Sequence, residues 1–181
     1  PIAVTGCTSN RVNGDASLEY GNSNDYGMYA LRGCIAGLIG GADYTTITNC
    51  SVTTKIYMTN TTSPAGIVCN LLNSTMDNCT LKDSIVNANN GGKAEGGLAG
   101  YVYEVHTIRD CENKANGDII LNNARKLYSH YVGGIVGFNY QACAILDSTN
   151  RGDIEFKTNS VASNRVAYVG GAGAIVLLLW G

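Results

Sequence analysis

A short glycine-centred signature recurs along the chain, and this recurrence constrains the fold more than any other feature of the sequence. The signature is a small residue, a glycine, two apolar residues and another small residue, as in Gly133-Gly-Ile-Val-Gly137. Consecutive copies of its glycine lie 29, 31, 37 and 37 residues apart. A period of roughly 20–50 residues is typical of solenoids, propellers and repeat arrays. The repeat-turn glycines are Gly37, Gly66, Gly97, Gly134 and Gly171.

A second signature follows the first by about ten residues. It reads as an apolar residue, any residue, Asn or Asp, and then Cys, as in Ile47-Thr-Asn-Cys50. In the last two full copies an Asn, a Gly-Asp pair and an Ile come next, as in Asn116-Gly-Asp-Ile119 and Asn150-Arg-Gly-Asp-Ile154. The opening stretch 4–15 resembles the end of a further copy. The signatures therefore lie near residues 4–15, 36–56, 65–86, 96–120, 133–156 and 170–180.

The spacing within each copy selects the fold. Every copy holds three short apolar runs separated by turn-forming residues, and none has the length or period of an amphipathic helix. A propeller blade would need four hairpin-linked strands over roughly 40 residues. Three strands of about five residues per rung instead predict an all-β, parallel β-solenoid (β-helix-like) of about five rungs with repeats of 29–37 residues. We expect residues 1–181 to be a single such domain, cut from a longer chain.

Composition excludes several classes of partner. Charged residues make up 14% of the chain, against roughly 25% in a typical soluble domain, and the net charge is −2. No basic surface is therefore expected to attract nucleic acid. A membrane-spanning helix needs about twenty apolar residues in succession, which the sequence does not contain, so direct membrane insertion is not expected either. Glycine is abundant (23) and proline rare (2), as suits tight turns between continuous hydrogen-bonded ladders.

The cysteines predict a core ladder. Cys50, Cys79 and Cys111 hold the same repeat position, and Ser148 replaces cysteine in the fourth copy. Neighbouring strands lie about 4.8 Å apart, so equivalent cysteines should stack inward. The chain has seven cysteines, an odd number, and no pair at zinc-ligand spacing. We therefore predict reduced core cysteines in preference to a disulfide framework.

Two short motifs offer surface functions. The tripeptide Arg151-Gly152-Asp153 matches the integrin-binding motif, although Asn116-Gly-Asp118 in the same repeat place favours a turn that needs glycine with φ > 0. Four sequons would accept glycans if the chain is secreted by a eukaryotic cell. The asparagines of these sequons are Asn49, Asn60, Asn73 and Asn78.

No catalytic constellation stands out, so we expect no enzyme activity, no cofactor and no metal site. His106 and His130 are isolated from any nucleophile. Asp77, Asp110 and Asp147, with Asn49 in the first copy, are expected as a solvated outer row. The chain has 11 tyrosines and two phenylalanines. The tyrosines could form an aromatic sugar-binding platform, but tyrosines at strand ends that cap the core are the preferred interpretation.

Taken together, the two signatures and the Asn-x-Gly-Asp-Ile segment resemble the GLUG repeat of large surface and secreted proteins, including bacterial adhesin-like proteins. The resemblance is clearest over residues 94–119 and 131–154 and weakest in the first and last copies. In the second copy Cys69 replaces a signature glycine. The resemblance implies an extracellular β-rich repeat region that serves as a stalk or adhesive surface and carries no catalytic residues.

These observations predict a non-catalytic structural or adhesive protein of the cell surface, such as a stalk, an adhesin or a filament subunit. Its expected partners are a second copy joined end to end, or the neighbouring repeats of a longer chain, because exposed ladder edges invite strand pairing. A host or cell-surface glycan is a further expected partner. The alternative is a carbohydrate-binding or pectin-lyase-like carbohydrate-active β-helix.

Overall fold

The computed structural model describes residues 2–9, 17–20, 34–58, 63–87, 94–104, 107–121, 130–140, 143–156 and 167–175. These ranges form 25 short β-strands arranged in five parallel sheets of five strands each. The described residues contain no helix, and hence none long and apolar enough to cross a membrane. The predicted all-β, parallel β-solenoid of about five rungs is thus confirmed.

The sheets are numbered I to V in the order in which each repeat enters them. Sheet I contains β4 (Cys34–Ala36), β9 (Ser63–Ala65), β14 (Ala94–Gly96), β19 (His130–Gly133) and β24 (Ala167–Gly170). Sheet II contains β5 (Ile39–Asp43), β10 (Val68–Leu72), β15 (Ala99–Tyr103), β20 (Val136–Tyr140) and β25 (Gly173–Ile175). Sheet III contains β1 (Ile2–Thr5), β6 (Thr45–Thr48), β11 (Thr75–Asp77), β16 (Thr107–Arg109) and β21 (Ala144–Leu146).

The two remaining sheets complete each rung. Sheet IV contains β2 (Thr8–Ser9), β7 (Ser51–Val52), β12 (Thr80–Leu81), β17 (Glu112–Asn113) and β22 (Thr149–Asn150). Sheet V contains β3 (Ser17–Tyr20), β8 (Lys55–Met58), β13 (Ile85–Asn87), β18 (Ile119–Leu121) and β23 (Ile154–Phe156). Strands β4–β8, β9–β13, β14–β18 and β19–β23 are rungs 1 to 4. Strands β1–β3 precede rung 1, and β24 and β25 follow rung 4.

The prediction of three strands per rung was wrong, because each rung contains five. The glycine signature divides the first apolar run, so that Gly134 and Ile135 separate β19 from β20. The second run ends at Leu146, and after a corner at Asp147, whose φ is positive, the polar pair Thr149–Asn150 forms an additional strand, β22. Short apolar runs read from sequence do not show such internal corners.

Identical repeat positions stack directly above one another. In sheet III the ladder pairs Val4 with Ile47, Ile47 with Met76, Met76 with Ile108, and Ile108 with Ile145. The three central side chains of this column are fully buried. Each apolar residue is therefore shielded by its equivalents on both sides, and burial at about 25 cal/mol per Å² stabilises the stack.

Rungs 1 to 3 turn two of their corners through a left-handed residue, and the described part of rung 4 turns one corner in this way. At the corner between sheets III and IV, the positive φ angles are 65° at Gly6, 56° at Asn49, 50° at Asn78, 52° at Asp110 and 46° at Asp147. Glycine, Asn and Asp adopt this conformation at the lowest cost, which explains why the second signature always carries Asn or Asp before its cysteine. At the corner between sheets II and III the corresponding residues are Tyr44, Asn73 and Glu104.

Candidate functional site

Six aromatic rings form one connected surface on the outside of sheets I and II. The ladders pair Tyr101 with Phe138, Tyr103 with Tyr140, and Tyr131 with Tyr168. The ring centroids of these pairs lie 5.7, 4.4 and 5.1 Å apart. Phe138 joins the pairs, since its ring centroid lies 4.6 Å from that of Tyr131 and 6.1 Å from that of Tyr140. We name this set of six residues the outer aromatic surface.

The rings of the outer aromatic surface remain accessible to solvent. Tyr103 is 41% exposed and Tyr168 is 38% exposed, and the other four residues are half-buried. The preferred interpretation placed the tyrosines at strand ends as caps of the core. Tyr103 and Tyr140 do end β15 and β20, but the rings of this set lie on the outer face of sheets I and II. Tyr44 stands apart from it as an exposed corner residue. Tyr26, Tyr29 and Tyr128 lie outside the described residues.

The hydroxyl groups of Tyr103 and Tyr131 stay protonated at neutral pH. A hydrogen bond with the Tyr140 hydroxyl raises the pKa of Tyr103, and burial raises the pKa of Tyr131. A neutral tyrosine offers an apolar ring face together with a hydroxyl that both donates and accepts hydrogen bonds. The surface is thus suited to ligands that combine apolar faces with hydroxyl groups.

The cysteine row lies at the corner between sheets III and IV, and its side chains form hydrogen bonds in addition to packing in the core. Each side chain donates a hydrogen bond to the backbone oxygen two residues earlier. The donor–acceptor distances are 3.8 Å for Cys7, 3.3 Å for Cys50, 3.4 Å for Cys79, 3.1 Å for Cys111 and 2.8 Å for Ser148. The hydroxyl of Ser148 therefore makes the same bond as the thiols, and this explains how serine can replace cysteine here.

The same side chains also link neighbouring rungs. The backbone N–H of Cys79 donates to Cys111 Sγ (3.4 Å), and the N–H of Cys111 donates to Ser148 Oγ (3.1 Å). Thr45 and Ser74 repeat the arrangement at the corner between sheets II and III, where the N–H of Thr45 donates to Ser74 Oγ (2.9 Å). Sequence reasoning missed this second row, although a Ser or Thr directly after the left-handed residue was its signal.

The prediction for this corner concerns Cys111, which both donates and accepts a hydrogen bond. Cys111→Ser should change the free energy of unfolding by less than about 1 kcal/mol, because the hydroxyl makes the same two bonds. Cys111→Ala should lower it by about 1–3 kcal/mol, since the buried N–H of Cys79 loses its acceptor. Denaturant unfolding of both variants measures the difference, and equal losses would contradict a hydrogen-bonding role.

The redox state differs among the cysteines. Cys50, Cys79, Cys111 and Cys143 are free and buried, and Cys7 is free and exposed. Cys69 is disulfide-bonded, so the prediction of reduced core cysteines was wrong at this position. Cys69 replaces a signature glycine in sheet II, outside the stacked row. At the equivalent Gly137 an added Cβ would lie 2.6 Å from the backbone nitrogen of Glu95 in sheet I. A side chain at this position therefore faces sheet I. It does not stack in line on the equivalent residues of neighbouring rungs, as the cysteines of the row do.

Burial controls the chemistry of the free thiols. It raises the pKa of Cys50, and it raises the pKa of Cys143 to about 11. The hydrogen bond with Cys111 and burial both raise the pKa of Cys79. Because the thiolate is the reactive form, Cys50, Cys79 and Cys143 react slowly in the folded chain. The hydrogen bond with Cys79 lowers the pKa of Cys111, and that thiol is protected by its burial, since it is only 1% exposed.

We therefore expect a brief pulse of iodoacetamide to alkylate Cys7 in the folded chain and to leave Cys50, Cys79, Cys111 and Cys143 unlabelled. Peptide mass mapping resolves each site, and the same pulse in denaturant should label all five. Labelling of Cys50, Cys79 and Cys111 in the native chain at the rate of Cys7 would show that the corner row opens to solvent.

The Gly-Asp segment rests on a pair of asparagines inside the solenoid. Asn113 is fully buried, and its Nδ2 donates to Gly117 O and to Asn150 Oδ1, both at 2.7 Å. Asn150 Nδ2 in turn donates to Gly152 O (3.0 Å). The ladder pairs Asn113 with Asn150, whereas the Asn of the sequence signature in the third copy is Asn116. The third copy has two more residues between its asparagine and its glycine than the fourth.

The tripeptide Arg151-Gly152-Asp153 is held within this stack. Arg151 Nε lies 3.0 Å from Glu112 Oε1, and the N–H of Asp153 donates to Asp118 Oδ1 (2.9 Å). Gly152 is buried, and its φ is not positive, contrary to expectation. Glycine is needed here because an added Cβ would lie 2.2 Å from Gly117 O. The central residue of the adhesive motif is therefore covered by the neighbouring rung.

Three of the four sequon asparagines lie in the described residues, all of them left-handed corner residues. Asn78 Nδ2 donates to Asn49 Oδ1 (2.7 Å), and Asn73 Nδ2 donates to Asp43 Oδ1 (2.9 Å). A glycan on Asn73 or Asn78 would replace a hydrogen of a nitrogen that already bridges two rungs. Asn49 is exposed and acts as the acceptor of its bridge. Asn60 lies outside the described residues.

The polar outer row differs in one member from the expected one. It consists of the corner residues Asn49, Asn78, Asp110 and Asp147, whereas Asp77 belongs to sheet III and pairs with Arg109 at 3.0 Å. In the described part of the chain, no group of three or more His, Cys, Asp or Glu side chains is placed to hold a metal ion. His130 is buried in sheet I, and His106 lies outside the described residues.

The fold and its repeating corners define a parallel β-solenoid repeat protein. The GLUG motif family matches residues 32–57 and 128–155, so the predicted resemblance is confirmed and the chain carries two copies consistent with a GLUG repeat region. The matched segments contain rung 1 (β4–β8) and rung 4 (β19–β23), each without its last residue. The first copy, expected to be among the weakest, is thus matched, whereas 94–119 is not. The GLUG motif is a repeat motif of extracellular-type proteins. No curated protein and no solved structure matches the chain significantly.

Proposed function

We propose that the chain is a non-catalytic extracellular repeat region with a structural or adhesive role at the cell surface. The observation that carries this proposal is the ladder itself. All five sheets continue in parallel through five strands, so each rung repeats the geometry of the one before it. Such quasi-one-dimensional folds build extended rods and surfaces whose length increases with the number of repeats.

Two observations support the extracellular location. Cys69 is disulfide-bonded, and stable disulfides form in oxidising compartments such as the cell exterior. The GLUG motif is also a repeat motif of extracellular-type proteins. Protease shaving of intact source cells tests the location, because a surface protein is cleaved without cell lysis. Protection until the cells are lysed would overturn it.

The proposed structural partner is a second copy of the chain, or the neighbouring repeats of a longer chain, that continues the five ladders. Val169 on the outermost described strand of sheet I is 53% exposed, so it lies at the edge that such a partner would cover. Electron microscopy should show filaments with stacked rungs about 4.8 Å apart. Val169→Lys should disrupt them, because a charge at an edge opposes strand addition. Asn116→Lys, at an exposed corner, is the matched control, and filaments that persist in Val169→Lys would contradict this mode of assembly.

A second candidate function is glycan binding, which the outer aromatic surface favours. Its stacked rings and neutral hydroxyls suit sugars that present both C–H faces and hydroxyl groups. A glycan array with the wild-type chain and Tyr103→Ala tests the idea, with Tyr44→Ala as a control because Tyr44 is 67% exposed but lies outside this surface. Selective loss in Tyr103→Ala supports it, and equal binding by both variants overturns it. Polysaccharide cleavage in the same samples would instead favour a pectin-lyase-like enzyme.

A further inference from the structure

Two tyrosines on neighbouring rungs are placed unusually close together. Tyr103 ends β15 in rung 3, and Tyr140 ends β20 in rung 4, and the ladder pairs them directly. Their ring centroids are 4.4 Å apart and their planes differ by 18°. Tyr103 is 41% exposed and Tyr140 is half-buried, so solvent and small oxidants reach the pair.

The parallel ladder fixes how the two rings overlap. Tyr103 and Tyr140 are direct partners in register, so both side chains leave the same face of sheet II in the same direction. Two nearly parallel, stacked rings attached in this way point the same way. The ring carbons next to each oxygen, Cε1 and Cε2, therefore face their counterparts on the other ring.

We propose that Tyr103 and Tyr140 are an oxidative cross-linking site, at which a dityrosine bond joins rung 3 to rung 4. Parallel strands carry this pair of residues in register, so the bond would form without any change in the ladder. Both tyrosines belong to the outer aromatic surface, but the cross-link does not depend on glycan binding.

The chemistry requires a peroxide and a one-electron oxidant such as a haem peroxidase. Each phenol gives up one electron and its hydroxyl proton and becomes a phenoxyl radical. The two radicals couple through one Cε carbon on each ring, and the hydrogens on those carbons move to the oxygens to restore two phenols. The pair has then lost two electrons and two protons, which reduce one hydrogen peroxide to two water molecules.

The other pairs of the outer aromatic surface are less suited to this bond. Tyr101 faces Phe138, which has no hydroxyl and forms no phenoxyl radical. The rings of Tyr131 and Tyr168 are parallel, but their centroids are 5.1 Å apart. The edge of Phe138 also packs against Tyr131, with the ring centroids 4.6 Å apart. Tyr103 and Tyr140 should therefore couple first.

The test treats the folded full chain, at low concentration, with horseradish peroxidase and hydrogen peroxide. We expect dityrosine fluorescence in the monomer band of a denaturing gel. Trypsin places Tyr103 in peptide 94–109 and Tyr140 in peptide 127–151, so mass spectrometry should find these two peptides joined and fragmentation should locate the bond. The cross-linked chain should also unfold at a higher temperature, because a covalent link across 37 residues restricts the unfolded state.

Matched variants decide the outcome. Tyr140→Phe keeps the stacked ring and removes the reactive hydroxyl, so it should abolish the joined peptides, and Tyr103→Phe should do the same. Tyr44→Phe removes a more exposed tyrosine and should leave the yield unchanged. Circular dichroism checks that each variant is folded. Monomer cross-linking that survives Tyr140→Phe, cross-links found only between chains, or a bond mapped to Tyr131 and Tyr168 would each overturn the proposal.

Discussion

Replacing Gly97 with alanine is expected to lower the free energy of unfolding by roughly 3 kcal/mol, near the upper end of what overpacking costs. A Cβ at this position would lie 2.0 Å from the backbone oxygen of Gly134 in the next rung. Backbone atoms cannot swing aside as a flexible side chain does, so the two rungs would have to separate. Gly97 also donates to Gly133 O (3.1 Å) and accepts from the N–H of Gly66 (3.0 Å), and both bonds would weaken.

Chemical denaturation followed by circular dichroism measures the loss, and Gly171→Ala is its matched control. Gly171 holds the same repeat position, but an added Cβ would meet no described heavy atom within 4 Å. This variant should change the free energy of unfolding by less than about 0.5 kcal/mol, as is usual for surface substitutions. If both alanine variants were equally stable, the close approach of successive rungs at the glycine signature would be disproved.

The sequence predicts the solenoid well because, in a parallel in-register stack, every rung needs the same kind of residue at the same position. The column from Val4 to Ile145 stays apolar in all five copies, and its three central members are fully buried. The Asn or Asp before each cysteine is likewise repeated, because each copy needs the same left-handed corner. Periodicity therefore identifies positions that have the same structural role in every rung.

Features confined to a few rungs were harder to predict. The outer aromatic surface exists because aromatic residues at three different repeat positions become neighbours only after sheets I and II are placed side by side. The disulfide of Cys69 departs from the repeat in a similar way, since Gly100 and Gly137 hold the same place in the next two rungs. A local pattern carries no signal for contacts that depend on the relative position of two sheets.

The second large effect concerns the buried asparagine of rung 3. Asn113→Ala should lower the free energy of unfolding by about 2–4 kcal/mol, because a buried acceptor that loses its donor costs about 1–3 kcal/mol and the smaller side chain leaves a cavity. The acceptors that lose their donor are Gly117 O and Asn150 Oδ1. Asn113 Oδ1 finds no hydrogen-bond partner among the described residues, so its removal relieves part of this cost.

Asn116→Ala tests which asparagine of the third copy corresponds to Asn150 of the fourth. Aligning the two asparagines that precede Gly-Asp would equate Asn116 with Asn150, whereas the ladder pairs Asn150 with Asn113. Asn116 is exposed, so its loss should change stability by less than about 0.5 kcal/mol. Thermal and denaturant unfolding of the two variants under identical conditions give the answer. A larger loss for Asn116→Ala than for Asn113→Ala would mean that the signature, and not the ladder register, identifies the residue that supports the Gly-Asp corner.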